Sequence, residues 1–463
     1  MLLLIFNVIL LLTFPRIAYP TKIIFGSCSK VDKPQPLWKF ISSRKPAVFA
    51  WLGDNIYADV LRDDYYKYLN IFSGKGDGLL PPGERPRFRA RTKEEHENMY
   101  NKQKQVSDYK SLSASTKIIG TWDDHDCGIN DADKHFSKKK ERMGLHLDFL
   151  DVPKDDPRRS REGVYTSHIV DNRVKVILLD VRYNRDPWPW HSGAQIDYAN
   201  NGDILGEEQW SWLEDQLTKT DIDSIELTLV GSGIQVLPIV ELIRGKHETW
   251  VQFSESRKRL ISLLSKSETP VMLLSGDVHF AEFSEAVCTT TGADNNDNGR
   301  KAQSRLIEFT SSGLTHAWAG PLSWPKPMPA AVLSKCLWYL WDFVGIHSHR
   351  VDAYPGLNFG EIEIAEGSNL VVLRAIGANN KTELEMTVNL NELLGGSGNS
   401  DVVTNQASEK IECAPRNGVT TEARIKLSIG MFVIITIFTF GGGLLFIIKL
   451  LFGMTAGGNR ENL

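Results

Sequence analysis

Six short apolar runs, each breaking into a polar loop, dominate the pattern along the chain. They are TKIIFGSCSK (21–30), AVFAWLGDNIY (47–57), STKIIGTWDDHD (115–126), NRVKVILLDVRYNRD (172–186), IELTLVGSGIQV (225–236) and TPVMLLSGDVHF (269–280). Apolar, β-branched runs of this length predict buried strands. LWKFISSRK (37–45), EEQWSWLEDQL (207–217) and SESRKRLISLL (254–264) space their apolar residues as helices do, and charged, helix-compatible sequence fills much of 61–117. Strands alternating with helices predict an α/β layered core. GEIEIAEGSNLVVLRAIGANNKTELEMTVNL (360–390) is more purely β and is expected to complete a sheet. Loops at strand carboxyl ends are where α/β proteins assemble their sites, so six polar loops are expected to converge on one pocket.

The ends differ from this body. MLLLIFNVILLLTF opens the chain and reaches small residues near Ala18, which predicts a secretory signal peptide over 1–20. Leu427 to Ile448 carries no charge and is long enough to cross a bilayer. A polar tail follows it, which favours a transmembrane helix over a lipid-anchor signal. The expected organisation is a folded domain at 21–392, a Gly/Ser/Asn-rich linker at 393–426, a span at 427–448 and a cytoplasmic tail at 449–463. The expected topology is single-pass type I, with the folded domain outside the cell or in the secretory lumen.

Composition narrows the function. With 42% apolar and 24% charged residues in 463, the chain is ordinary globular protein. A net charge of −4 gives no broad basic field, and no nucleic-acid-binding module is evident. Cys28, Cys127, Cys288, Cys336 and Cys413 make an odd count, which leaves at least one thiol unpaired within the chain or paired between chains. Asn380-Lys-Thr is the one N-glycosylation sequon.

The loops carry the candidate chemistry. Asp54 and Tyr57 follow an apolar strand, and a phenolate is a hard anionic oxygen that suits ferric iron; the alternative is a plain Gly-Asp-Asn turn. Asp277 and His279 alternate, so an extended chain would turn both to one side as a chelating pair. Cys28 lies in a small-residue loop, either as a thiolate ligand or as half of a disulfide. TWDDHDCGIND (121–131) offers oxygen ligands around His125, which could protonate a leaving oxygen. Arg182 and Arg185 carry forks that fit phosphate oxygens, or are a surface pair with nearby acids. DNNDNG (294–299) imitates a calcium loop, but the position for its closing Glu is Arg305, so it reads as a hydrophilic loop. The segment 317–343 is rich in Trp and Pro and is a lid, a membrane-proximal patch or core.

Taken together and in order over 21–390, FGSCS, GDNIY, TWDDHD, LDVRYNR, LGEEQWSWLEDQL, SGIQVLP, SGDVHFAE and SSGLTHAW resemble the PhoD-like (alkaline phosphatase D) metallophosphatases, relatives of the purple acid phosphatases and calcineurin-like phosphoesterases. The resemblance implies a four-layered α/β/β/α sandwich and a phosphoester hydrolase in which a metal-activated hydroxide attacks a phosphomonoester or phosphodiester. It implies ferric iron on Cys28, Asp54, Tyr57 and His279. Asp54 would bridge to a second ion, calcium, which Asp277 and Asn130 complete. Asp124 is a further ligand candidate, standing where the wider superfamily has Asn. His125 would be the acid, and Arg182 and Arg185 would bind the substrate. A Cys28–Cys127 disulfide would remove the iron site. The rival expectation is a membrane-tethered binding or adhesion protein with an inactive phosphatase fold.

Overall fold

The computed structural model describes residues 20–61, 88–187, 202–219, 224–239, 248–291, 302–318, 349–395 and 410–415. The six apolar runs become β1 (Thr21–Gly26), β2 (Val48–Leu52), β5 (Lys117–Thr121), β7 (Val174–Leu178), β8 (Leu227–Ser232) and β9 (Val271–Ser275). Two sheets hold them. In the first, β1, β2 and β5 run parallel. β13 (Asn358–Ile364), β14 (Leu370–Gly377) and β15 (Thr382–Asn389) extend it antiparallel from β1, giving the order β15-β14-β13-β1-β2-β5. In the second, β7, β8 and β9 run parallel, with β11 (Ala302–Ser311) parallel to β9. β6 (Thr166–Val170) pairs antiparallel with β7, and β10 (Ala281–Thr291) with β11. β12 (Arg350–Tyr354) and β16 (Lys410–Pro415) share the other side of β10. A small ribbon of β3 (Asp59–Leu61) and β4 (Phe88–Ala90) lies apart from both.

The central strands are apolar throughout because both of their faces are buried. Ile23, Phe25, Val48, Ala50 and Leu52 of the first sheet join Val176, Leu178, Leu229, Met272 and Leu274 of the second in one core between the sheets. The intervening residues face outward. Phe49 and Trp51 enter a core with the helices Trp38–Ser43, Lys93–Gln105 and Ser107–Ser113. Val230, Val271 and Leu273 meet the helices Glu207–Thr218 and Ser254–Ser265. The layers therefore run helix, sheet, sheet, helix. Helix Glu207–Thr218 buries Trp210, Leu213 and Leu217 and leads with Glu207 and Glu208, which suit the positive end of its dipole. Replacing Trp210 with Ala would cost about 3–5 kcal/mol of this packing.

The expected membrane span is corrected. A span needs about 20 apolar residues in a helix; the longest described helix, Lys93–Gln105, has 13 and is strongly polar. No described helix is long and apolar enough to cross a membrane, and 427–448 lies outside the described residues. The single-pass type I topology rested on that span and falls with it. The stretch 1–19, DNNDNG at 294–299 and residues 319–343 also lie outside the described residues. Within the tract read as a linker, Leu393 and Leu394 are buried and β16 pairs with β10, where Cys413 is bonded to Cys288. Cys28 and Cys127 are both free thiols, so they do not form the disulfide that would have removed the iron site. Asn380 is exposed in the turn between β14 and β15, where its Oδ1 accepts from Arg44.

Candidate metal centre

The carboxyl ends of β1, β2 and β5 meet those of β7, β8 and β9, and the six polar loops converge there. Two glycines let them close. Gly53 has a left-handed φ of 88°, and a Cβ on it would collide with the Cβ of Asp123. A Cβ on Gly276 would strike the Leu52 carbonyl and the Ser27 hydroxyl.

Cys28, Asp54 and Tyr57 come together as one donor group. Asp54 Oδ2 lies 3.4 Å from Cys28 Sγ and 3.0 Å from Tyr57 Oη. The Cys28 thiol also meets Ser312 Oγ at 3.0 Å. On its far side the Tyr57 hydroxyl lies 3.0 Å from His316 Nε2, and the His316 ring is 4.3 Å from that of His279. The Ser312 hydroxyl accepts from the His279 backbone N–H, which ties the Asp277–His279 loop to the same group. The same-face argument for Asp277 and His279 does not survive: their φ values are 72° and 62°, so the backbone there is left-handed and not extended. Cys28 (62°) and Asp54 (51°) share that conformation. It is unfavourable for residues with a Cβ and concentrates at functional sites.

The acidic turn forms the facing wall. Asp124 and His125 begin a short helix, Asp124–Cys127. Asp124 accepts backbone N–H bonds from His125 (2.8 Å) and Asp131 (2.7 Å). His125 Nδ1 lies 2.8 Å from Asp59 Oδ1, whose second oxygen accepts from the Asn130 backbone N–H. Donor atoms of Asp54, Asp124 and His125 lie within 4.8 Å of one another, as do those of Asp124, Asp131 and Glu248. Cys127 points away into a small core with Trp122, Met143 and Leu147, and burial raises its pKa.

Arg182 and Arg185 are fully buried, and their forks are engaged within the protein. Arg182 Nε donates to Asp123, and its terminal nitrogens clamp Glu248 at 2.7 and 3.0 Å. Arg185 pairs with Glu248 and donates to the Asp131 and Ala132 carbonyls. Both guanidinium groups thus support the acidic loops from within.

The electrostatics leave the pocket short of positive charge. Burial, then Asp124, Asp123 and Asp126, raise the pKa of Asp54 well above the carboxylate range despite His125. Burial, then Asp123 and Asp124, do the same for Asp277. Burial, then Asp54, raise Cys28 and Tyr57. His125 is raised: burial opposes its charge, but Asp124, Asp54 and Asp59 outweigh it. Burial, then His279 and Lys30, lower His316, which is therefore neutral. Asp54 Oδ1 and Asp123 Oδ2 are buried with no hydrogen-bond partner. A buried carboxylate oxygen without a donor is costly, and a bound cation would remove that cost. The donor set therefore fits a metal.

The sequence profile of the PhoD-like phosphatases matches residues 23–326, which include every loop of this pocket. The chain belongs to the PhoD-like phosphatase family. Alkaline phosphatase D of Bacillus subtilis (strain 168) is 22% identical over 284 residues, covering 55% of this chain and 45% of that protein. The chain thus spans about half the length of the curated relative it matches. A solved structure titled "Structure of PhoD" shares the fold, with a TM-score of 0.53 at 15% identity over 80% of this chain and 68% of that one.

Several residues of this pocket do not stand out in the sequence: Asp59, Asp131, Glu248, Ser312 and His316. His316 lies within SSGLTHAW, so its motif was visible though its partners were not. Asp59 lies two residues past Tyr57 and Glu248 sits in no motif, and only the folded loops bring them in.

Proposed function

We propose that the chain is a metal-dependent phosphoester hydrolase that works outside the reducing cytosol. The observation that carries this is the convergence of Cys28 and Tyr57 on Asp54 Oδ2, whose companion oxygen Oδ1 is buried with no hydrogen-bond partner. Cys28, Asp54, Tyr57 and His279 would hold ferric iron; Asp54, Asp124, Asn130 and Asp277 would hold the second cation, calcium. When bound, two such cations neutralise phosphate charge and make water a nucleophile at neutral pH.

The chain's own residues do the rest. Asp59 holds His125 Nδ1, which leaves Nε2 to carry a proton to the leaving oxygen. Against the effect of burial, Asp124, Asp54 and Asp59 raise the pKa of His125 and so favour its acidic form. Arg182 and Arg185 hold Asp123, Glu248 and the 131–132 backbone, so the acidic wall keeps its shape when charge in the pocket changes. The Cys288–Cys413 disulfide supports an oxidising compartment. The substrate is a phosphomonoester or a phosphodiester. The complete donor set runs against an inactive fold kept only for binding.

Metal analysis of the purified protein beside a panel of phosphomonoesters and phosphodiesters tests this. Metal at or above one ion per chain, with turnover of at least one ester class, is expected. A metal-loaded protein that hydrolyses neither class would overturn it.

A further inference from the structure

Asp126 lies one residue beyond the candidate acid and is fully buried. Its two oxygens take four donors. Oδ1 accepts from the Ile56 backbone N–H at 3.1 Å and the Tyr100 hydroxyl at 3.4 Å. Oδ2 accepts from the backbone N–H groups of Asn55 and Asp123, each at 3.1 Å. A carboxylate has about four acceptor positions, so this one is saturated by protein and is not a metal ligand. Behind it, the Tyr100 hydroxyl also meets His146 Nδ1 at 3.2 Å, and all three residues are buried.

The donors lie at informative places. Asn55 and Ile56 directly follow Asp54, which with Gly53 forms two successive left-handed residues. Asp123 directly precedes Asp124 and His125. One carboxylate therefore ties the unfavourable turn that presents Asp54 to the turn that presents the facing ligands. Two strands of the first sheet end in these turns, their ladder stops at Leu52 and Thr121, and beyond it one backbone hydrogen bond, Ala58 N–H to the His125 carbonyl at 3.2 Å, joins the turns beside the Asp126 carboxylate.

We propose that Asp126 is a positioning residue that sets the distance between Asp54 and the Asp124–His125 pair, and so the metal affinity and the turnover of the site. This rests on the metal-dependent reading above.

The test uses the full chain and two variants. Asp126→Asn turns one oxygen into a donor facing donors; Tyr100→Phe removes one bond of four. Each is checked by circular dichroism and thermal melting. The metal-stripped protein is then titrated with Mn²⁺ as the probe, and kcat and KM are measured per folded molecule on the best ester. With the fold retained, Asp126→Asn is expected to lose about 10- to 100-fold in Mn²⁺ affinity and in kcat, with KM within about twofold. Tyr100→Phe is expected to lose a few-fold in affinity. Wild-type affinity and kcat in folded Asp126→Asn would overturn the proposal, as would a loss that tracks the folded fraction alone. If Asp126→Asn does not fold, unchanged Mn²⁺ affinity in Tyr100→Phe assigns the group to the fold and overturns it equally. A wild-type chain that binds no Mn²⁺ and hydrolyses no ester would overturn the functional reading and this proposal together. A wild type that does both, matched by Asp126→Asn, would remove this proposal alone.

Discussion

The pocket acids and the acids on the outer face of β10 and β11 are both buried, yet their oxygens are used differently. Glu282 receives Ser284, Gln235 and a two-pronged Arg350. Glu308 receives the backbone N–H groups of Val236 and Leu237, the shortest at 2.6 Å. Both glutamates stand on regular strands. In the pocket, Asp54 and Asp123 each keep a buried oxygen without a partner, and Asp54 and Asp277 stand on left-handed backbone. A satisfied acid cluster is architecture; an unsatisfied, conformationally unfavourable one is waiting for a ligand. Burial or acid count would not have separated the two.

That contrast can be broken by substitution. Asp54→Asn should reduce kcat by roughly 1,000-fold or more, since it weakens the donor shared by both proposed ions and their charge stabilisation. Initial-rate kinetics on the wild type's best ester would measure it; activity near wild type would erase the distinction. Stripping metal with a chelator should abolish turnover and lower the melting temperature, because binding to the native state alone stabilises it. Chelation should leave the far-ultraviolet spectrum intact. His125→Gln should cost about 10²- to 10⁴-fold, most with poor leaving groups, because general acid catalysis is worth that much. A rate series across leaving-group pKa would check the slope.

Glu308→Gln should do the opposite. Its amide would face the N–H groups of Val236 and Leu237 and cost about 1–3 kcal/mol of stability, with kcat unchanged; denaturant unfolding and kinetics together decide. The smallest effect is on pH dependence. Burial raises Glu308 from an ordinary 4.5 to about 7. The folded state therefore holds this proton more tightly than the unfolded chain does. Its stabilising contribution is complete below 4.5, falls as pH rises toward about 7, and is flat beyond. The slope is at most about 1.4 kcal/mol per pH unit for one proton, and the stability gap between wild type and Glu308→Gln should narrow over that window.

Much of the fold was legible because buried strands write themselves as apolar runs. Val48–Leu52 and Val271–Ser275 are unmistakable in composition. The loops after them were legible as chemistry because Asp54, Tyr57 and His279 stand beside small residues at strand ends. What stayed hidden depends on partners distant in sequence. The contacts of Arg182 with Asp123 and Glu248 join residues 59 and 66 positions apart. Asp59 gains a role only when folding brings His125 to it, 66 positions away. The pairing of Cys288 with Cys413 spans 125 residues, and nothing local specifies it. The alternation rule failed at Asp277 and His279 because the strand ends at Ser275 and the backbone turns left-handed.

The left-handed backbone at Cys28, Asp54, Asp277 and His279 has an evolutionary corollary. Each of these positions would be easier for glycine or asparagine. A library of this chain selected for resistance to heat in the absence of metal should drift toward those residues here, becoming hardier as it loses its chemistry. Selection on turnover should hold all four against that drift.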